Sequence, residues 1–164
     1  MLCIKCNQNE GNKASGFCNS CENAESKLIN GVLYLPAAGL VLSLLAGLFS
    51  FYGFASEVIS YFMKSRMITW FALGGLVVML VDIMFTAFTA YFFFRQKKGI
   101  RKVIIPWYLL GLLYAVYFSL LPSWLFGSYF GQGEIRLLAT GVVGVVVWIP
   151  YFLFSKRINE VFSR

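Results

Sequence analysis

Residues 103–133 read VIIPWYLLGLLYAVYFSLLPSWLFGSYFGQG, 31 consecutive positions without an acidic or basic side chain. A helix rises about 1.5 Å per residue, so about 20 mostly apolar residues cross a hydrocarbon core of roughly 30 Å. Working outward, the chain holds three more such stretches. Lys27 and Glu57 bracket 29 uncharged positions, Met67–Phe94 carries one charge (Asp82) in 28, and Leu137–Ser155 carries none in 19. Charged residues make up only 13% of the 164, against about 25% in soluble domains, which argues against apolar runs buried in a soluble core. The fold class is therefore an all-α membrane protein with four transmembrane helices, at about 31–54, 68–94, 104–126 and 135–154 of a membrane domain spanning 28–164. The first stretch is too long, and its approach too polar, for a cleaved signal peptide, so it is expected to be a retained helix.

The basic residues set the orientation. RQKKGIRK, between the second and third spans, holds Arg95, Lys97, Lys98, Arg101 and Lys102, and the tail adds Lys156, Arg157 and Arg164. The other links hold Lys64, Arg66 and Arg136. Loops rich in Lys and Arg stay in the cytoplasm, which places both termini there and predicts a multi-pass protein of the bacterial inner membrane, N-in and C-in. The formal charge of +7 is then mainly a topology signal, with attraction to anionic membrane lipids as a second use. Nucleic acid is not an expected partner, because Lys5, Lys13 and Lys27 of the N-terminal segment are offset by Glu10, Glu22 and Glu25.

All four cysteines lie in the first 21 residues: Cys3 and Cys6 form one CxxC pair, Cys18 and Cys21 another. In a reducing compartment such pairs bind metal more often than they form disulfides. Two knuckles 11 residues apart can bring four thiolates around one tetrahedral zinc, with the metal supplying the folding energy of a segment (residues 1–22) too short to bury a core. Lys13–Phe17, with Gly16, is long enough to return the chain, and Phe17 can pack on the site. Iron in the same cage has the same spacing. A redox role needs a single CxxC beside a βαβ pattern, which this sequence lacks. A site saturated by four thiolates is structural, with no open position for catalysis.

Within the spans, Pro36 is expected to bend or break the first helix near its start, and Pro150 to interrupt the last near its inner end. Ser43 with Gly47, and Thr140 with Gly144, are small-residue pairs four apart, suited to close helix approach. Trp107, Tyr108, Trp124, Trp148 and Tyr151 fall near span ends, where aromatic belts form. Glu57–Arg66 has the pattern of a short amphipathic helix at the outer interface. Asp82 stands apart: a carboxylate near mid-membrane costs at least a few kcal/mol, so it faces the bundle interior or water. It serves either proton coupling, ion binding or a partner contact, or a packing role as a protonated acid hydrogen-bonded to Ser43, Thr86 or a tyrosine hydroxyl.

INGVLYLPAAGLVLSLL (residues 29–45) and WIPYFLFSKRINEVF (residues 148–162) resemble signatures of the bacterial four-span membrane proteins catalogued as domain of unknown function 2569. Pro36 and Gly39 match that family's LPxxGL. Trp148, Pro150, Tyr151, Phe152, Ser155, Arg157 and, conservatively, Ile158 match its closing segment. Tyr34 stands where a Trp-Leu step is typical. The resemblance implies an inner-membrane four-helix protein and supplies no reaction or substrate; a cysteine-rich extension is similar to that seen on some members. In the closing segment, Ser155 and Arg157 are expected to hydrogen-bond the frayed helix end or a lipid phosphate.

Functionally, the sequence points to a non-enzymatic membrane protein, an accessory or scaffold subunit acting through a protein partner or as a homo-oligomer, with the zinc knuckle as a rigid handle. The alternative is a small transporter, channel or lipid-handling protein that uses Asp82.

Overall fold

The structure, a computed structural model, describes residues 2–4, 6–12, 16, 18–21, 29, 31–155 and 157–162. It is all-α around four long apolar helices. A 3-10 turn at Gly31–Leu33 leads into α1 (Tyr34–Ser65); α2 is Trp70–Phe94 and α3 is Ile100–Phe126. The fourth long helix, α4, spans Gln132–Phe154 with a π-helical segment at Gly144–Trp148, and a last short helix, α5, covers Arg157–Val161.

Each boundary has a local cause. Thr69 caps α2, its hydroxyl accepting from the Ala72 N–H at 3.2 Å. Glu134 reaches back so that its carboxylate accepts from the Gly131 N–H at 3.0 Å, closing the start of α4. Gly99 turns the chain into α3 with φ at 86°, which glycine adopts without a Cβ penalty. That turn lets α3 begin four residues before the expected 104, inside the basic link.

Two expectations are corrected. Glu57–Arg66 does not form a separate interfacial helix: α1 runs unbroken to Ser65, because nothing in FYGFASEVISYFMKS interrupts the backbone ladder. At 32 residues, α1 is about 48 Å long and outreaches a hydrocarbon core of roughly 30 Å. Pro36 does not break its helix either. It lies in the first turn of α1, where N–H groups have no intrahelical partner, so its missing donor costs nothing.

The links at 66–69, 95–99 and 127–131 are short, so successive helices run antiparallel. α1 packs on α2, α2 on α3 and α3 on α4, whereas α1 and α4 share no comparable contact among the described residues. Small residues set the close approaches: a Cβ on Gly47 would lie 3.2 Å from Ile83 of α2, and one on Gly144 would lie 3.1 Å from Tyr108 of α3. One buried cluster closes the end where the chain enters and leaves. Leu33 and Leu40 meet Phe93, Ile100 and Ile104 there, and α5 folds back so that Ile158, Val161 and Phe162 complete it. The start of α1, the 95–99 link and the α5 segment therefore lie on one side of the bundle. Outward surfaces are apolar, as lipid requires: Phe49 is 76% exposed and Phe154 82%.

Candidate functional site

Among the described residues α1 and α4 share no extensive contact, and a cavity of about 530 Å³ lies inside the four helices. Asp82 lines it from α2, half-buried and facing open volume. Ser43 and Ser50 of α1 and Thr140 of α4 add hydroxyls on the facing walls. α1 and α4 form two facing walls of the cavity with no extensive contact between them among the described residues.

Two glycines leave open space in its wall. Gly39 of α1 and Gly111 of α3 both line the cavity, and a Cβ on either would meet no atom within 4 Å. They are unlike Gly47 and Gly144, which are small because another helix presses on them.

Aromatic side chains form the inner wall. Trp107, Tyr108, Tyr114 and Trp148 all line the cavity. The Trp107 indole N–H donates to Thr86 Oγ1 at 2.8 Å, and the Tyr108 ring lies 4.8 Å from Trp107 between centroids. The expected interfacial belt is thus corrected for Trp107, Tyr108 and Trp148, which face inward, while Trp124 at the end of α3 is 83% exposed. Position near a span end does not say which face a ring takes. The hydroxyl of Thr86, one helical turn after Asp82, was the available sequence signal for an inward tryptophan.

Pro150 follows the π-helical segment and stands second in the final α-helical stretch, Ile149–Phe154. A proline there cannot donate to the carbonyl four residues back, and the wider π turn absorbs the mismatch. Gly144 and Trp148, the ends of that segment, both line the cavity, and π turns occur often at functional sites. Ser155 and Arg157 lie at the inner end of α4 and the start of α5. The Ser155 carbonyl accepts from Arg101 Nη2 at 3.1 Å, tying the end of α4 to α3, and Arg157 Nη1 lies 3.5 Å from where a Cβ on Gly31 would sit. The helix end is thus held by Arg101, a residue the closing motif does not contain.

At the N-terminal segment, Cys3, Cys6, Cys18 and Cys21 form one cluster with all four ligand atoms within 4.8 Å of one another. No disulfide joins them. Cys6 Sγ and Cys18 Sγ are 3.7 Å apart, close to the about 3.8 Å edge of a tetrahedron with metal–sulfur bonds of about 2.3 Å. The first knuckle is a tight turn, with the Asn7 N–H donating to the Cys3 carbonyl at 3.0 Å and Asn7 at φ 51°. The second loop is laid on the first through the Ile4 N–H and Gly16 carbonyl, 3.1 Å apart, and a Cβ on Gly11 would collide with that same carbonyl at 2.6 Å. The Cys18 N–H donates to Cys3 Sγ at 3.2 Å. Hydrogen bonding from Ser20 brings the Cys18 thiol down to about 6, while the Cys21 thiol, hydrogen-bonded to the Cys18 sulfur, is pushed up to about 12. Four converging sulfurs are a donor set that suits a cation at their centre. Phe17 and the 22–27 linker lie outside the described residues.

Neither the curated proteins nor the solved structures contain a match to this chain. Over residues 26–163 it matches the profile of the family described as Protein of unknown function (DUF2569), and with most of its length covered, the chain belongs to that family.

Proposed function

We propose that the chain is a non-enzymatic, multi-pass protein of the bacterial inner membrane that handles a small ligand through the cavity between α1 and α4. The carrying observation is that Asp82, the single charge in the second span, lines a cavity of about 530 Å³. An intramembrane acid is costly unless it meets water, a partner or a ligand, and function is its default reading. Both termini and the 95–102 link are assigned to the cytoplasm by the positive-inside rule. Native mass spectrometry of protein released from nanodiscs tests the reading. A small molecule bound to the wild type and lost in Gly111→Phe supports it; an identical, ligand-free spectrum for both proteins counts against it.

A second reading rests on the four-cysteine cluster: an accessory or scaffold subunit whose knuckle binds a protein partner. Zinc held by Cys3, Cys6, Cys18 and Cys21 is the occupant we assign, and when bound it supplies folding energy rather than catalysis. Affinity capture in mild detergent separates the readings. A stoichiometric partner lost on Cys6→Ser supports the scaffold role, and a lone particle under several detergents opposes it.

A further inference from the structure

Building on the cavity reading above, we propose that the ligand is a lipophilic organic cation: a quaternary ammonium or phosphonium centre carrying an alkyl or aryl body, which enters from the bilayer between α1 and α4.

Charge is the first argument. Asp82 lines the cavity, and no basic side chain does so among the described residues. Asp82 is the thirteenth of the 25 residues of α2, so it sits near mid-membrane, far from the lysines and arginines at the helix ends. A cation is the complement of this site.

The kind of cation follows from the rest of the wall. Calcium and magnesium take six or more oxygen ligands and draw on several carboxylates or retained waters. This cavity offers one carboxylate and a few hydroxyls on a mostly apolar surface. It also presents Trp107, Tyr108, Tyr114 and Trp148 around a single volume. Aromatic faces attract cations within about 6 Å of the ring centroid, and clusters of them are how proteins recognise weakly hydrated onium groups. The Trp107 ring is held in place by its bond to Thr86, so part of this cage is formed in advance of binding.

Size and access agree. At about 530 Å³, the cavity lies within the roughly 300–1,000 Å³ of pockets for drug-sized ligands. A cation with an apolar body partitions into the membrane, and the gap between α1 and α4, which share no extensive contact among the described residues, is the route assigned to it.

Equilibrium dialysis of tetraphenylphosphonium against the full chain in detergent tests the proposal. Saturable binding at one site per chain is expected, displaced by benzyltrimethylammonium but not by its uncharged carbon analogue, neopentylbenzene. Asp82→Asn is expected to weaken binding at least tenfold and Gly111→Phe to abolish it, with the thermal melt of Gly111→Phe close to the wild type. If Asp82→Asn fails to fold, Trp148→Leu serves instead, with at least threefold weaker binding expected. Equal displacement by the neutral analogue, or undiminished affinity in the folded Asp82 or Trp148 variant, overturns cation recognition while leaving a ligand cavity standing. Absence of binding to the wild type overturns the proposal as well. If neopentylbenzene then still binds the wild type and not Gly111→Phe, the cavity reading survives; if it binds neither, that reading falls too.

Discussion

The indole N–H of Trp107 donates to the Thr86 hydroxyl oxygen at 2.8 Å, joining α3 to α2 one helical turn from Asp82. Both side chains are buried, Thr86 at 1% exposure and Trp107 at 9%. The bond turns toward the cavity a ring that would otherwise be at home in the interfacial region. In Thr86→Val the indole N–H loses its acceptor, at an expected cost of about 1–3 kcal/mol. Adding Trp107→Phe removes the orphaned donor, so the double variant should be less destabilised than the sum of the single variants. Unfolding in mixed micelles, run as a double-mutant cycle, measures this; strictly additive losses would mean the bond contributes nothing.

Glycines of two kinds should respond oppositely to the same substitution. Gly47→Ala places a methyl 3.2 Å from Ile83, so Ile83 must yield by a few tenths of an ångström, and the variant is expected to melt below Gly39→Ala. Gly39→Ala meets nothing within 4 Å and should leave the melting temperature unchanged or slightly raised. Equal melting of the two variants would show that α1 is not pressed against Ile83 of α2 at Gly47.

Topology is open to chemical labelling. Cysteines introduced as Lys64→Cys and Gln132→Cys, at the ends of α1 and α4 opposite the buried terminal cluster, should react with a membrane-impermeant maleimide from outside the cell. Gly99→Cys, in the basic link, should not. Outside labelling of Gly99→Cys would reverse the orientation of the whole chain.

Metal content and its reach form one prediction. The purified protein should hold about one zinc per chain, and Cys18→Ser, which removes one of four thiolates, should lose most of it. Deleting residues 1–22 should shift the thermal melt of the helical body by only a few degrees, since that body draws on backbone bonds and lipid-embedded packing. Elemental analysis and melts in detergent check both halves. Iron in place of zinc keeps the cage and changes its occupant, whereas aggregation of the truncated chain would make the knuckle part of the membrane fold.

How much of this protein is legible in its sequence depends on how local the cause is. Four uncharged stretches are enough for four spans, because crossing a hydrocarbon core is a matter of length and hydropathy alone. The two CxxC pairs announce one metal-sized cluster, because a knuckle is built from contiguous residues, and the sulfurs do converge. The helix ends were less legible. Whether Glu57–Ser65 continues α1 depends on an uninterrupted backbone ladder, and whether Pro36 bends the helix depends on where the first turn starts.

The cavity belongs to the tertiary structure. Asp82 is conspicuous in sequence as a lone acid, but whether it faces a dry interface or open volume is decided by how α1 and α4 pack, which share no extensive contact among the described residues. The same holds for Trp107, Tyr108 and Trp148, whose positions near helix ends suit an interfacial belt as well as an interior wall. A side chain's depth along a helix is read from residue counting, since each residue adds about 1.5 Å. Its direction around the bundle depends on how four helices share their faces, which is a property of the packing and not of any one stretch of chain.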